Sequence, residues 1–479
     1  LASSTQFQQF RIQTTTTQES IETNITVFAF APIRVETYRG ANILLSIHPN
    51  DTFSEAIPTN EEIQALRINP DDGNGFRNIS TNQEVFASYT STGLKTMEIE
   101  ASLTNGTTLY ASALLDVKAL SQPNPTASIS LVASSPYTNT TGTIYIYKSG
   151  DHTGLRCPVL VAEGFDMDNS MDWDVLYSIL NKEQLAETLR SFGRDLIVLD
   201  YANATRSIFE NAALAQAAIK YVNANRQTLS DKFTVIGASM GGLVTRIALT
   251  QMDTAPATYG ESHVDSWISF DSPQKGANIP LGLQEYFTFF LGKTGMPASI
   301  LQYYSLLNTQ AAKQMLLVHS STIATLAGNI THDTFQRSLD TLGYPSQCKK
   351  IAISNGSGYQ ETQPFSKGQL ILNWDNPGWL LADVACRIYA LSTSTSTIFW
   401  GFHDTIAWFD ETSTTQNRYY PYALDNAPGG YRNSFQILFN QIVASGYSGS
   451  GDFCVANNHC FIPTCSALGL DIAYCNAYL

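Results

Sequence analysis

The chain has 479 residues, of which 43% are hydrophobic and 14% are charged, and its formal net charge is −14. This length exceeds what one hydrophobic core usually organises, so two or three domains are expected. The acidic balance excludes binding to nucleic acid or anionic lipid through charge alone, and no apolar run reaches the roughly 18 residues that a membrane span needs.

Residues 1–122 carry short strand patterns separated by turn signals. Alternating or β-branched stretches include 42–47 and 95–101, and Asn105-Gly106 is a typical turn dipeptide. Short strands at this spacing predict an all-β N-terminal domain, a sandwich of the immunoglobulin-like type.

After a Pro-containing linker at 121–125 the pattern changes, and residues 126–479 are predicted to form a second domain. Apolar residues within 208–222 recur at helical spacing, and helical segments of this kind alternate with predicted strands at 158–162, 195–199, 233–236 and 264–270. This alternation predicts an α/β class domain with a mainly parallel sheet that is covered on both faces.

Two later segments are predicted to be additions to this sheet. Residues 277–343 read as helices rich in Leu, Tyr and Phe, which we expect to form a cap whose side chains either line an acyl pocket or pack the cap against the core. Residues 386–479 are predicted to be β-rich and hold five of the seven cysteines, Cys386, Cys454, Cys460, Cys465 and Cys475. One or more disulfides are expected there, with Cys157 as a free thiol.

The composition also favours a secreted protein. Low charge is combined with abundant Ser, Thr, Asn and Tyr, and the cysteine usage agrees with an oxidising compartment. The chain begins at Leu1 without a methionine, so we expect that a leader has been removed.

The motif that carries chemistry is Gly-Ala-Ser-Met-Gly at 237–241. An apolar strand runs directly into it and an apolar-faced helix runs directly out of it. A sharp strand-to-helix turn of this kind exposes the hydroxyl of Ser239 beside a helix N-terminus, and side chains at the flanking glycines would collide with neighbouring chain. We therefore predict that Ser239 is a nucleophile.

Residues 127–275 resemble the core of α/β-hydrolases, specifically secreted lipases and carboxylesterases. Besides the serine turn, the resemblance rests on Val-Leu-Val-Ala-Glu-Gly-Phe-Asp at 159–166 and on Ser-Phe-Asp-Ser-Pro-Gln-Lys-Gly at 269–276. The second segment is similar to the Thr-Pro-His-x-Gly segment of many lipases, from which Ser272 and Gln274 depart. The resemblance covers about a third of the chain.

The resemblance implies an α/β-hydrolase core with a Ser, acid, His order of catalytic residues along the chain. It places the oxyanion hole at the backbone amides of Phe165 and Met240. The base is expected late in the chain, which favours His459, with His403 as the alternative.

The acid is assigned to Asp271, because the turn after the strand at 350–354 lacks a carboxylate until Glu361. Some hydrolases of this fold, the pancreatic lipase type, place their acid one strand earlier, where Asp271 lies. Glu361, Asp404 and Asp452 remain open as alternatives.

The acidic cluster at 166–174 has a spacing that could suggest a calcium loop, but helix capping explains it better. Met171 stands where such a loop needs glycine, and no Glu closes it at the twelfth position. We expect neither metal nor cofactor.

These observations predict a secreted serine carboxylic ester hydrolase that acts through an acyl-enzyme on an ester with a neutral or hydrophobic acyl group. Two alternatives stay open: an acyltransferase that uses the same triad, and a carbohydrate- or surface-binding protein with an inert hydrolase core. The N-terminal domain motivates the second alternative, because it could bind a polymer or carbohydrate surface.

Overall fold

The structure is a computed structural model, and it describes residues 28–30, 37–47, 52–54, 62–80, 84–119, 123–166, 169–293, 296, 299–321, 329–357, 362–379, 382–404, 411–418, 420–444, 451–456 and 458–471. The chain divides into two compact units. The first comprises residues 1–121 and 180–184, and the second comprises residues 122–179 and 185–479.

The described part of the N-terminal segment is built from strands. They are β1 (Phe28–Phe30), β2 (Thr37–Arg39), β3 (Asn42–Ser46), β4 (Thr52–Ser54), β5 (Ile63–Asn69), β6 (Arg77–Ile79), β7 (Glu84–Ser88), β8 (Gly93–Leu103) and β9 (Thr108–Lys118). A five-stranded sheet has the order β2-β9-β8-β5-β6, and β3-β7 and β1-β4 are two-stranded pairs.

Alternation along the long strands creates the core of this unit. Met97, Ile99 and Ala101 of β8 are buried while the residues between them face outward. They share one apolar cluster with Leu45 of β3 and Val85 of β7, so the five-stranded sheet and the β3-β7 pair pack on each other. The all-β character matches the expectation for this segment, and the immunoglobulin-like sandwich stays a prediction.

The second unit is organised by a seven-stranded mixed sheet. Its strands are β10 (Ala127–Val132), β11 (Thr141–Tyr147), β12 (Val159–Ala162), β13 (Leu196–Tyr201), β14 (Thr234–Ala238), β15 (Ser266–Phe270) and β16 (Lys349–Ile353). The order is β10-β11-β13-β12-β14-β15-β16, with antiparallel pairing at β10-β11 and β11-β13 and parallel pairing elsewhere. The predicted α/β class and mainly parallel sheet are confirmed.

Helices connect these strands and cover the sheet. They are α1 (Trp173–Leu180), α2 (Leu185–Ser191), α3 (Ile208–Asn225), α4 (Met240–Thr254), α5 (Pro256–Tyr259), α6 (Leu281–Phe290), α7 (Ser299–Leu307), α8 (Gln310–Met315) and α9 (Ile330–Leu342). The apolar residues of α3 that recur at helical spacing are fully buried, as are β12 and β13. The strand order reverses at β12, which lies between β13 and β14, and this is where open α/β sheets bind ligands.

A second, mainly β layer follows the helices. Its elements are β17 (Leu370–Trp379), β18 (Ala382–Tyr389), β19 (Ser396–Asp404), β20 (Thr412–Arg418), β21 (Gly429–Arg432), α10 (Ser434–Ala444), β22 (Phe453–Cys454), β23 (His459–Pro463) and α11 (Thr464–Ala467). An antiparallel sheet has the order β20-β19-β18-β17-β22, and β21 pairs with β23 in a separate ribbon.

The predicted helical insertion packs against this second sheet. Leu281, Tyr286 and Phe290 of α6 are buried in one cluster with Trp374 of β17 and Phe399 of β19. Their burial favours the packing role over the lining of an acyl pocket.

The cysteines of the C-terminal part include free thiols and one residue, Cys465, that is disulfide-bonded. Cys386, Cys454 and Cys460 are free thiols, so these three do not belong to the disulfides that the sequence predicts. The reason lies in their surroundings: Cys386 and Cys460 are buried in strands, and Cys386 belongs to an apolar cluster, as unpaired cysteines commonly do. Cys157 is free as predicted, and Cys475 lies outside the described residues.

Arg246 joins α4 to the end of α9. Its guanidinium is 1% exposed and donates to the carbonyls of Leu339 and Gly343 at 2.8 and 2.7 Å and to Oε1 of Gln274 at 3.1 Å. It also lies 3.7 Å from the ring centre of Tyr344. Gln274, a departure from the lipase segment, thus helps to hold a buried cation.

Within the described ranges, every helix is too short or too polar to cross a membrane.

Candidate active site

Ser239 occupies the turn between β14 and α4. Its φ of 51° and ψ of −125° lie in a region that residues with a side chain rarely adopt. The Ser239 amide donates to the carbonyl of Phe270 at 2.9 Å, which fixes the turn to the neighbouring strand β15. Among the described residues, no hydrogen-bond partner occupies the Ser239 hydroxyl, so it is available for chemistry.

The two glycines of the motif are required by close backbone contacts. A Cβ at Gly237 would lie 2.4 Å from the carbonyl oxygen of Gly241, and a Cβ at Gly241 would lie 2.4 Å from the carbonyl oxygens of Ala162 and Glu163. The helix α4 therefore starts directly against the end of β12. This sterically tight turn confirms the physical reason for the glycines that the sequence suggests.

The predicted oxyanion-hole segment lies beside the serine. A Cβ built on Gly164 would be 3.2 Å from Ser239 Cβ and 3.7 Å from its Oγ, so the loop after β12 reaches the serine side chain. Met240 is the first residue of α4, where backbone N–H groups lack helical partners. Neither the Phe165 nor the Met240 amide donates to another described residue, which leaves both available for an anion.

Glu163 precedes this loop as a buried carboxyl group. It is 4% exposed, and its Oε1 accepts a hydrogen bond from the Tyr201 amide at 2.8 Å. Burial raises the pKa of Glu163 to about 9, so the group is neutral at pH 7. No negative charge at Glu163 therefore opposes an oxyanion at the neighbouring amides. Sequence reasoning missed this residue.

Asp271 follows β15 directly and is held at the same edge of the sheet. Its φ is 43°, and its amide donates to the Ile353 carbonyl at 2.7 Å. Oδ1 accepts from the Asn355 amide at 2.9 Å and Oδ2 from the Asn355 side chain at 3.0 Å. Partial burial raises the pKa of Asp271, while the bonds from Asn355 and the charge of Arg432 oppose that rise.

The ribbon of β21 and β23 lies against this carboxylate. A Cβ at Gly430 would be 2.7 Å from Asp271 Oδ2. Asn278, on the segment after Asp271, donates its side-chain amide to the Cys460 carbonyl at 3.1 Å and to Oδ1 of Asp425 at 2.9 Å. The segment that carries the proposed acid thus anchors the strand that carries His459.

The ring of His459 nevertheless contacts groups other than Ser239. Its Nε2 lies 3.0 Å from Ser434 Oγ, its Nδ1 lies 2.9 Å from the Cys460 carbonyl, and the Phe435 ring packs edge-on against it. The side chain is fully buried, and this burial lowers its pKa to about 4.

Strand alternation explains this orientation of His459. Burial and, after it, the charges of Asp425 and Asp271 raise the pKa of the thiol of Cys460, the next residue along the strand. Successive side chains of a strand point to opposite faces, so His459 is turned toward α10. The structure brings Asp271 to the Ser239 edge of the sheet but does not bring the His459 ring to Ser239 Oγ.

The alternative residues lie elsewhere in the second unit. His403 and Asp404 belong to β19, where they pair with Val384 and Asp383 of β18. Asp452 accepts a hydrogen bond from the Asp375 amide at 2.8 Å next to β22. Glu361 lies outside the described residues. Asp271 directly follows Phe270 of β15, and the Phe270 carbonyl accepts the hydrogen bond from the Ser239 amide. Asp271 therefore lies next to the nucleophile turn.

Comparison with known proteins finds one matching family model within the second unit. The family model described as palmitoyl protein thioesterase matches residues 158–339, a span that contains the loop after β12, the serine turn and Asp271. This match covers less than half of the chain. The second unit has the α/β-hydrolase fold, with its seven-stranded mixed sheet and the turn at Ser239.

Several solved structures are similar to parts of this chain. Esterase Est22 is 14% identical over 32% of this chain and 46% of its own, with a TM-score of 0.26, so the hydrolase spans less than half the length of Est22. EstE1, a carboxylesterase cloned from a metagenomic library, is 14% identical over 48% of this chain and 79% of its own, with a TM-score of 0.26. A hyperthermophilic esterase from Pyrobaculum calidifontis is 15% identical over 48% and 77%, also with a TM-score of 0.26. No curated protein sequence matches the hydrolase.

The acidic cluster of the hydrolase binds backbone amides. Asp166 accepts from the Met171 amide at 2.9 Å and Asp174 from the Val175 amide at 2.9 Å, while Asp168 lies outside the described residues. In the part of the chain that the structure describes, no three His, Cys, Asp or Glu side chains are grouped as a metal site would require.

Sequence reasoning also missed Asn355, Gly430 and Ser434. For Asn355 a signal existed, because it follows β16 where the usual acid would stand. The contacts of Gly430 and Ser434 depend on how β21 and β23 pair, which no local pattern reveals.

Proposed function

We propose that this hydrolase cleaves carboxylic esters with Ser239 as nucleophile. The observation that carries the proposal is the left-handed backbone of Ser239 between β14 and α4, with an available hydroxyl beside the available amides of Phe165 and Met240. Strain of this kind persists where the surrounding structure enforces it, and here two glycines allow the close contacts that do so.

In the proposed reaction, Ser239 Oγ attacks the ester carbonyl and its proton passes to the base. The amides of Phe165 and Met240 stabilise the negative charge on the tetrahedral oxygen. Because Glu163 is neutral, it does not repel this charge. The alcohol leaves with the proton from the base, and water then cleaves the acyl-enzyme by the same steps in reverse order. Asp271 orients the protonated base and stabilises its charge.

The proposal keeps His459 as the base, because its strand pairs with the strand whose Gly430 adjoins Asp271. In the described state its ring is bonded to Ser434, so catalysis requires the ring to turn from Ser434 toward Asp271. A base works best with a pKa near the operating pH, and leaving the buried position would raise the pKa of His459 from about 4 toward its ordinary range.

A thioester is the second candidate substrate, which the match to the palmitoyl protein thioesterase family favours. The same nucleophile and oxyanion hole serve both substrates, since only the leaving group differs. Secretion belongs to the proposal on compositional grounds alone. The described strands of the first unit add no support for the polymer or carbohydrate binding predicted for residues 1–122.

Labelling and kinetics test the nucleophile directly. A fluorophosphonate probe should modify the peptide that contains Ser239, and Ser239→Ala should lower kcat for p-nitrophenyl esters by about 10⁵-fold or more. Acyl-thioesters of matched chain length, assayed with a thiol reagent, separate the two substrate classes. Ser128→Ala, at an exposed position on β10, is the matched control. Full turnover by Ser239→Ala would refute the proposal.

A further inference from the structure

We propose that Asn355 is a positioning residue that holds the carboxylate of Asp271 in the orientation the catalytic base needs. The inference deepens the proposed function and rests on it. Asn355 stands at the strand end that usually supplies the acid in this fold, and its side chain binds the acid supplied by the neighbouring strand.

The parallel register of the two strands creates this pair. Phe270 of β15 is aligned with Ile353 of β16, so the residues that follow them emerge at the same edge of the sheet. The Asp271 amide donates to the Ile353 carbonyl at 2.7 Å, which ties the start of one turn to the end of the other strand. Asp271 and Asn355 are thereby held side by side through backbone contacts.

The two bonds from Asn355 reach different oxygens of the carboxylate. Its backbone amide is 2.9 Å from Oδ1, and its side-chain nitrogen is 3.0 Å from Oδ2. Donors on both oxygens fix the plane of the carboxylate, whereas one donor would leave it free to rotate. The plane matters because the remaining acceptor directions of the carboxylate must meet the N–H of the base.

Exposure separates this role from a contribution to folding. Asn355 is exposed, whereas Asp271 is partly buried, and the backbone of Gly430 lies near both Asp271 Oδ2 and the Asn355 side chain. An exposed amide contributes little packing, so its substitution should leave the fold intact. The contact that matters for its role is the one with Asp271, the carboxylate for which a part in catalysis is proposed.

The test compares Asn355→Ala, Asp271→Asn and the exchanged pair Asp271→Asn with Asn355→Asp. Asn355→Ala removes the bond to Oδ2 and keeps the backbone bond to Oδ1, so kcat should fall about 10- to 100-fold with KM within about twofold. The kcat of Asp271→Asn should fall much further than that of Asn355→Ala. The exchanged pair restores a carboxylate and an amide at the same edge and should recover at least about tenfold over Asp271→Asn.

Ser354→Ala is the matched control, because Ser354 Oγ donates to the Asn355 carbonyl in the same turn and, among the described residues, to no group of Asp271. Thermal unfolding of each variant reports the fold separately from the kinetics. The inference would be overturned by a parent-like kcat in Asn355→Ala, by a change in KM of this variant as large as the expected change in kcat, or by no recovery of kcat in the exchanged pair. Absence of labelling at Ser239 in the parent enzyme would instead overturn the proposed function.

Discussion

The serine turn and the β21–β23 ribbon supply the two halves of the proposed site in different ways. The turn is built from a strand and a helix that are contiguous in sequence, and backbone contacts at Gly237 and Gly241 fix it. The ribbon joins strands 429–432 and 459–463, and the direction of the His459 side chain depends on their register. A local motif thus fixes where a nucleophile points, whereas a long-range pairing decides where a base points.

The first test concerns the close backbone contacts that fix the serine turn at Gly241. Gly241→Val would force side-chain atoms toward the carbonyl oxygens of Ala162 and Glu163, which a Cβ already approaches to 2.4 Å. We expect a loss of at least about 3 kcal/mol in the free energy of unfolding and no measurable turnover. Chemical denaturation checks this, with Gly150→Ala as control because a Cβ there meets nothing closer than 3.9 Å. Parent-like stability would show that the turn is not constrained as described.

The second test concerns the direction of the His459 ring, which depends on the register of β21 and β23, and it uses substitutions of His459 and Ser434. If the ring must leave Ser434 to act as base, His459→Gln should lower kcat by about 10⁴-fold, while Ser434→Ala should leave kcat unchanged or raise it. Steady-state ester hydrolysis measures both variants. A loss in Ser434→Ala as large as that in His459→Gln would mean that the Ser434 bond itself belongs to the working site. A parent-like kcat in His459→Gln would move the role of base to another histidine.

The smallest expected effect is on acid stability. The folded protein holds the pKa of His459 at about 4, below its ordinary value of 6.5, so the unfolded chain binds the proton first as the pH falls. Stability is therefore unaffected above pH 6.5 and declines as the pH falls from 6.5 to 4, by about 3 kcal/mol in total. Denaturation of His459→Gln across this range should show a correspondingly flatter decline than the parent. Identical slopes would indicate that the ring is not buried in solution.

The sequence was sufficient for features that short-range patterns encode. The apolar stripe of α3, the strand before Ser239 and the glycines around it all predict the structure in which they occur, because spacing alone determines which face is buried. Asp271 could be placed by counting strands, since residues after parallel strands meet at one edge.

The remaining features depend on partners distant in sequence. Asn355 was visible only as a missing carboxylate, and its two bonds to Asp271 follow from the register of β15 and β16. The rotation of His459 toward Ser434 and the unpaired state of Cys460 follow from the register of β23. The aromatic residues of α6 were open to two interpretations, because a buried core face and a pocket wall have the same composition.

Arg246 connects the nucleophile helix α4 to the end of helix α9, so we expect the two helices to unfold together. Its guanidinium supplies donors to the carbonyls of Leu339 and Gly343, at the end of α9 where helical partners run out. If α4 unfolded alone, the Gly343 carbonyl would lose the donor that Arg246 supplies, whereas the Leu339 carbonyl would keep the Gly343 amide. If α9 unfolded alone, a buried cation would lose two acceptors. Both losses are costly, so the amides of α4 and α9 should exchange with deuterium as one cooperative unit.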